Sequence, residues 1–199
     1  NGSGSAASPA KFAHYARQTT VMQDISAIRD VTVNYTGGDL PEQVSSGQVS
    51  APFFQLLGAK ALIGRTFTPD EDKPNAQHVA VLSYGWWVRR FASDPAVIGK
   101  TISLSGDPYV IVGVIAPSFD PSEFIDPPQL WTPFQIDPNA TEQAHFFRVA
   151  GRIKPGFTLG QAQAALAQSA VDFRERFPKA IGPKGGFSVE PIQKVFIRN

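Results

Sequence analysis

Near the end of the chain, Thr158-Leu-Gly-Gln161 opens a run in which Leu159, Ala162, Leu166, Ala170, Phe173 and Phe177 recur at helical spacing as far as Pro178. Thr158 and Gln161 have the spacing of a capping box, the apolar residues form one stripe, and a proline ends the run. The pattern predicts a long amphipathic helix. Such a helix is not stable alone in water, because its stability comes from covering the apolar stripe. The rest of the sequence must supply that cover, and its 17 Gly and 17 Pro cut it into short segments. A mixed α+β fold follows, with short strands packed against a few helices.

The remaining segments bear this out as expectations. Ser8-Pro9 signals a helix start, with Phe12, Tyr15 and Ala16 on one face. Residues 26–28, 31–35 and 44–49 read as short strands, the last two joined by a Gly37-Gly38-Asp39 turn. Residues 50–58 read as a two-turn helix stopped by Gly58, and Thr68-Pro-Asp-Glu71 as a second capped helix start. Residues 78–82 form a short apolar strand, after which Ser83 caps a helix with Tyr84, Trp87, Val88 and Phe91 on one face. Thr101-Ile-Ser-Leu-Ser105, Gly106-Asp107 and residues 109–115 make a β-hairpin. Residues 117–138 hold six prolines (117, 121, 127, 128, 133 and 138) and are expected to be irregular surface. Residues 146–153 and 187–192 are further strands.

Composition excludes several functions. Eighteen basic and 17 acidic residues leave a net charge of +1, and no basic block exceeds Arg89-Arg90, so the footprint of a nucleic-acid binder is missing. The absence of cysteine removes disulfides, thiolate metal sites and thiol catalysis. No apolar run reaches the length of about 20 residues that a membrane helix needs; the longest, residues 110–116, suits a buried strand. The chain starts without Met, which suggests an excised part of a longer protein, and Asn1-Gly-Ser-Gly-Ser5 reads as a flexible leader.

Candidate chemistry is sparse. His14, His78 and His145 lie far apart in sequence, none with a metal partner at i+2 to i+4, so no metal site is expected. Asp70-Glu71-Asp72 lacks the pattern of a calcium loop and reads as carboxylates favouring a helix N-terminus. Gly99-Lys100-Thr101 has Asp94 where a phosphate-cradling loop requires glycine, so no nucleotide is expected, nor any other cofactor or catalytic residue. In the pair Trp86-Trp87, adjacent helical residues point about 100° apart. Trp87 is read as core and Trp86 as a partly exposed candidate for partner contact.

Several phrases in order resemble one family. They are Phe53-Phe-Gln-Leu-Leu-Gly58, Gly64-Arg-Thr-Phe67, Val79-Ala-Val-Leu-Ser83, Trp87-Val-Arg-Arg-Phe91, Asp94-Pro-Ala-Val-Ile-Gly-Lys100, Ile102-Ser-Leu104, Tyr109-Val-Ile-Val-Gly-Val-Ile115 and Pro117-Ser-Phe119. Arg152-Ile-Lys-Pro-Gly156 and the helix after it continue the match. Together they resemble the MacB-like periplasmic core domain of bacterial ABC-transporter permeases (the MacB/FtsX-type family).

The resemblance implies a porter-like α/β subdomain built from residues 1–49 and 144–199, with a smaller sabre-like α+β subdomain inserted at residues 50–143. It implies an extracytoplasmic domain of an inner-membrane permease that is not an enzyme, transmits ATP-driven motion and docks periplasmic partners or cargo. Its partners would be the membrane helices and second permease copy of the full-length protein, a periplasmic adaptor, and an ATPase domain or subunit on the cytoplasmic side. Both chain ends would then lie at one pole. The alternative is a stand-alone extracytoplasmic domain that binds or senses a ligand through its aromatic middle segment.

Overall fold

The structure, a computed structural model, describes residues 6–37, 41–122, 125–182 and 185–192. In chain order the first elements are β1 (Ala6–Ala7), α1 (Pro9–Tyr15), β2 (Met22–Tyr35), β3 (Glu42–Val49), α2 (Phe53–Leu56), β4 (Ala61–Gly64) and β5 (Val79–Leu82). They are followed by α3 (Tyr84–Phe91), β6 (Thr101–Leu104), β7 (Asp107–Ile115), β8 (Leu130–Pro133), β9 (Phe147–Ile153) and α4 (Leu159–Arg176). The expected leader, the Gly38-Asp39 part of the first turn and the last seven residues lie outside the described residues, as does the expectation about the two chain ends.

The chain divides into two compact units, a terminal one of residues 1–25 and 138–199 and a central one of residues 26–137. The expected seam at 49/50 falls inside the central unit and that at 143/144 inside the terminal unit. The reason for the first is pairing: β2 runs antiparallel to β3 from Ile28↔Val49 to Tyr35↔Glu42, and β3 pairs in parallel with β8 from Ser46↔Leu130 to Val49↔Pro133. Those bonds commit residues 28–49 to the central sheet.

In the terminal unit, β1 pairs antiparallel with β9, and α4 forms as the sequence predicts. Thr158 Oγ1 accepts from Gln161 N and Gln161 Oε1 accepts from Thr158 N, completing the capping box. Ala162, Leu166, Ser169, Ala170 and Phe173 form its buried face. Helix α1 starts with Ser8 Oγ accepting from Lys11 N and Pro9 in the first turn, where a missing N–H costs nothing. Ala10 packs with Leu166, Ala170, Phe173, Ile181 and Phe187. Residues 187–191 do not form the expected strand.

In the central unit the strand order is β2-β3-β8-β5-β7-β4, with β6 paired to β7 and touching β2 at Tyr35↔Leu104. Pairing is parallel for β3–β8 and β5–β7, and antiparallel elsewhere. One face buries Ala80, Leu82, Ile102, Leu104, Ile111, Val114 and Leu130 with both tryptophans of α3. Gly113 is required where β4 and β7 approach: a Cβ there would stand 2.0 Å from the Arg65 carbonyl oxygen.

Three local expectations are corrected. Residues 117–138 are not all irregular surface, since Leu130–Pro133 is a fully buried strand; the prolines mark its borders, and Pro133 closes it. No helix follows Thr68: Glu71 Oε2 accepts from Thr68 N at 2.8 Å, but Pro74 disfavours helical backbone at Lys73 and the chain continues in turns. The helix in residues 50–58 is one turn long, with Gly58 at φ +70°.

Phe173 is 0% exposed, at the centre of the α4 face. Phe173→Ala is expected to cost about 3–5 kcal/mol, the usual result of emptying a buried aromatic site. A urea-unfolding midpoint equal to that of the wild type would show that the terminal unit does not depend on this contact.

Candidate functional site

Helix α3 carries the candidate contact residue. Ser83 Oγ accepts from Trp86 N at 3.2 Å to cap it, and Ala92 ends it in the left-handed conformation at φ 50°. Trp86 is 1% exposed, which corrects the expectation of a partly exposed indole. Its ring meets Tyr35 edge-on at 5.3 Å and Phe91 at 5.4 Å. Trp87 is also buried, and its Nε1 donates to the Asp94 carbonyl at 3.0 Å.

The apolar face of α3 is therefore rotated from the expected one. Trp86 and Trp87 together straddle the direction of the sheet, while Tyr84 and Val88, one turn apart, face solvent. Arg89 and Arg90 are exposed beside them. Trp86 works as the wedge that holds the helix on the sheet.

Asp70-Glu71-Asp72 proves to be a loop staple. Asp72 Oδ2 accepts from Ala51 N at 2.8 Å and Oδ1 from Gln135 N at 2.9 Å, joining the start of α2, residues 70–76 and the end of β8. Gln135 Nε2 donates back to the Glu71 and Ala76 carbonyls. Burial pushes the Asp72 carboxyl above its ordinary value, against the pull of its amide donors. Burial also opposes the charge of Glu71, but the Arg65 guanidinium at 2.6 Å and the Thr68 N–H outweigh it and hold that carboxyl below the usual range. Sequence reasoning missed the staple because the partners of Asp72 lie 21 and 63 residues away.

The three histidines stay dispersed. His78 stacks on Tyr109 with centroids 4.8 Å apart, His145 Nε2 lies 2.8 Å from Lys11 Nζ, and His14 packs on Phe173. Among the described residues no group of three or more His, Asp or Glu is placed to hold a metal ion. An open hollow of about 310 Å³ is lined by Ala76, Gln77, His78, Thr101, Pro108 and Val110. Its walls offer one imidazole and no carboxylate, so an acid–base or nucleophile–base pair is not assembled there. No described helix is long and apolar enough to cross a membrane.

Among the described residues the domain is sheet-rich, with buried aromatics and stapled loops. The sequence profile of the MacB-like periplasmic core domain matches residues 2–169, and the chain belongs to that family. Domains of this family are the periplasmic part of inner-membrane permeases.

The macrolide export ATP-binding/permease protein MacB of Burkholderia thailandensis is 31% identical over 144 residues, 71% of this chain and 21% of that protein. The corresponding protein of Burkholderia pseudomallei is 29% identical over 143 residues, again 21% of its length. The chain thus matches about a fifth of these relatives.

Solved structures share the fold. The periplasmic region of MacB from Actinobacillus actinomycetemcomitans superposes with a TM-score of 0.64 at 16% identity, covering 94% of this chain and 80% of that one. The extracellular domain of the noncanonic ABC-type transporter YknZ from Gram-positive bacteria gives 0.63 at 12%, covering 92% and 91%. A domain of a putative permease from Porphyromonas gingivalis gives 0.66 at 14%, covering 98% and 88%.

Asp72→Ala would leave two amide donors of the central unit without their acceptor. A loss of about 1–3 kcal/mol is expected, the cost of unsatisfied buried donors. Chemical denaturation checks it, and an unchanged free energy of unfolding would remove the staple from the account.

Proposed function

We propose that this chain is the extracytoplasmic domain through which an ABC-transporter permease passes ATP-driven movement to periplasmic partners or cargo. Membership of the MacB-like periplasmic core domain family carries the reading. The absence of a catalytic constellation among the described residues fits it. So does the construction of both units, in which aromatic wedges and side-chain staples favour displacement as rigid bodies over internal rearrangement.

On this reading the terminal unit plays the porter-like part and the central unit the sabre-like part. The movement enters from membrane helices of the parent protein, driven by an ATPase domain or subunit on the cytoplasmic side. A second permease copy faces the first, and a periplasmic adaptor docks on one of the two units. The names of the relatives make a macrolide the first cargo to try.

The 199 residues hold no cysteine, so once any cysteine elsewhere in the full-length permease is replaced, cross-linking gives a direct test. Single cysteines are placed at exposed positions, beginning with Val171 on α4 and Val88 on α3, in the full-length permease reconstituted in vesicles. Pairs that cross-link two copies are expected to leave ATP binding intact and to lower macrolide-stimulated ATP turnover by about tenfold or more, on the scale of a coupling free energy of about 1–3 kcal/mol. A reductant should restore it. Full turnover and transport after verified cross-linking would overturn the coupling role and leave a sensing or ligand-binding domain.

A further inference from the structure

Helix α1 ends beside a histidine that is not free in solvent. The ring of His14 meets Phe173 of α4 edge-on, with centroids 5.3 Å apart and planes at 71°, and lies 5.8 Å from the ring of Phe187. Phe187 is 6% exposed and also contacts Tyr15 at 4.7 Å and Phe173 at 5.3 Å. It belongs to residues 185–191, which have no regular secondary structure.

Side chains of α4 hold that segment. Gln163 Nε2 donates to the Phe187 carbonyl at 3.4 Å, and Val189 N donates to Gln163 Oε1 at 3.1 Å. One glutamine amide therefore serves the segment as a neighbouring strand would. Arg174 Nη2 donates to the Gly185 carbonyl at 2.5 Å. Hydrogen bonds of this kind are individually weak in net terms because water replaces them on opening, so the seat of the Phe187 ring decides whether the segment stays down.

We propose that His14 is the proton-sensitive part of a latch that fastens residues 185–191 to α4, and that protonation of its ring loosens the segment. The neutral ring fits its site: one ring nitrogen donates to the Ser169 carbonyl, and Nε2, 3.5 Å from Gln18 Nε2, can accept from that amide. A second ring proton turns Nε2 from acceptor to donor, so the Gln18 amide has to turn over to meet it. It also puts a cation beside the buried rings of Phe173 and Phe187.

The charged groups around the ring are Asp172 and Arg176 from α4 and Arg17 from α1; residues 185–191 present the apolar Phe187. Burial disfavours the imidazolium first of all, and the two arginines add to it. Together they outweigh Asp172 and the Ser169 carbonyl, so the ring titrates below its ordinary value.

The sign follows. With the latch closed the pKa is depressed, and with the segment released it returns toward about 6.5. The closed state is favoured fully above about 6.5 and loses ground as pH falls below it, by up to about tenfold in the open-to-closed ratio per unit, until the depressed pKa is reached. The latch goes beyond the transport reading and rests on the terminal unit alone. In a domain outside the cytoplasm, it would make the hold on the last part of the chain depend on the pH of the surroundings.

Amide exchange of residues 185–190, followed by mass spectrometry on the 199-residue chain between about pH 7.5 and pH 5, tests this. After correction for intrinsic exchange rates, protection in the wild type should fall below about pH 6.5, by up to about tenfold per unit. His14→Phe keeps an aromatic ring without the proton and should give a flat profile. Gln163→Ala should lower protection at every pH. A flat wild-type profile, the same fall in His14→Phe, or unchanged protection in Gln163→Ala would each overturn the latch. Should His14→Phe not fold, an NMR titration of the wild-type His14 ring decides: an apparent pKa below about 6.5 supports the latch and one at or above it refutes it.

Discussion

The central unit depends on the use of both edges of β7. Its backbone pairs with β5 on one side and with β6 and then β4 on the other, and its last five residues are buried. A strand so placed sets the plane and twist of its neighbours, and α3 can dock only because this sheet gives Trp86 and Trp87 a surface to cover. Gly113 belongs to the same constraint, since β4 reaches β7 so closely that the Arg65 carbonyl occupies the place of a side chain. The stapling of residues 70–76 by Asp72 then fixes the loops at the margin of an arrangement already decided by β7.

Locally encoded elements were legible in the sequence. Helix α4 announces itself through Thr158, Gln161 and a stripe from Ala162 to Phe173, all within one element. The β6–β7 hairpin is equally local, from Thr101↔Val110 to Leu104↔Asp107. Strand β8 was hidden because prolines dominate its surroundings and its partners, β3 and β5, are remote. The Gln129 side chain, for instance, binds Ser45 across 84 residues. The orientation of α3 was ambiguous for another reason. Five apolar or aromatic residues in eight positions allow two faces, and the reach of the Trp86 indole to Tyr35 selects one.

The family was legible by a different route. The phrases that carry the likeness, such as those around Phe53–Leu56, Val79–Leu82 and Asp107–Ile115, coincide with buried elements of the central sheet and its aromatic packing. They preserve a fold, and so they identify the family without marking a site. The acidic run at 70–72 illustrates the converse. It reads as a local helix start, whereas its carboxylates serve backbone amides that only the folded chain brings near.

The position of β8 has a consequence for how the chain is made. It lies between β3 and β5, paired in parallel with one and antiparallel with the other, yet it is synthesised about 50 residues after β5 and 80 after β3. Until residue 133 is available, those two strands have facing edges with nothing between them. The local hairpin can close early, but the slot must wait for a distant segment, which raises contact order and slows completion. Two open edges during that interval are the sites at which a nascent chain would pair with the wrong strand or with a neighbour. The hazard for this domain therefore lies in the interval before β8 enters the sheet, when a chaperone or rapid export would protect it most.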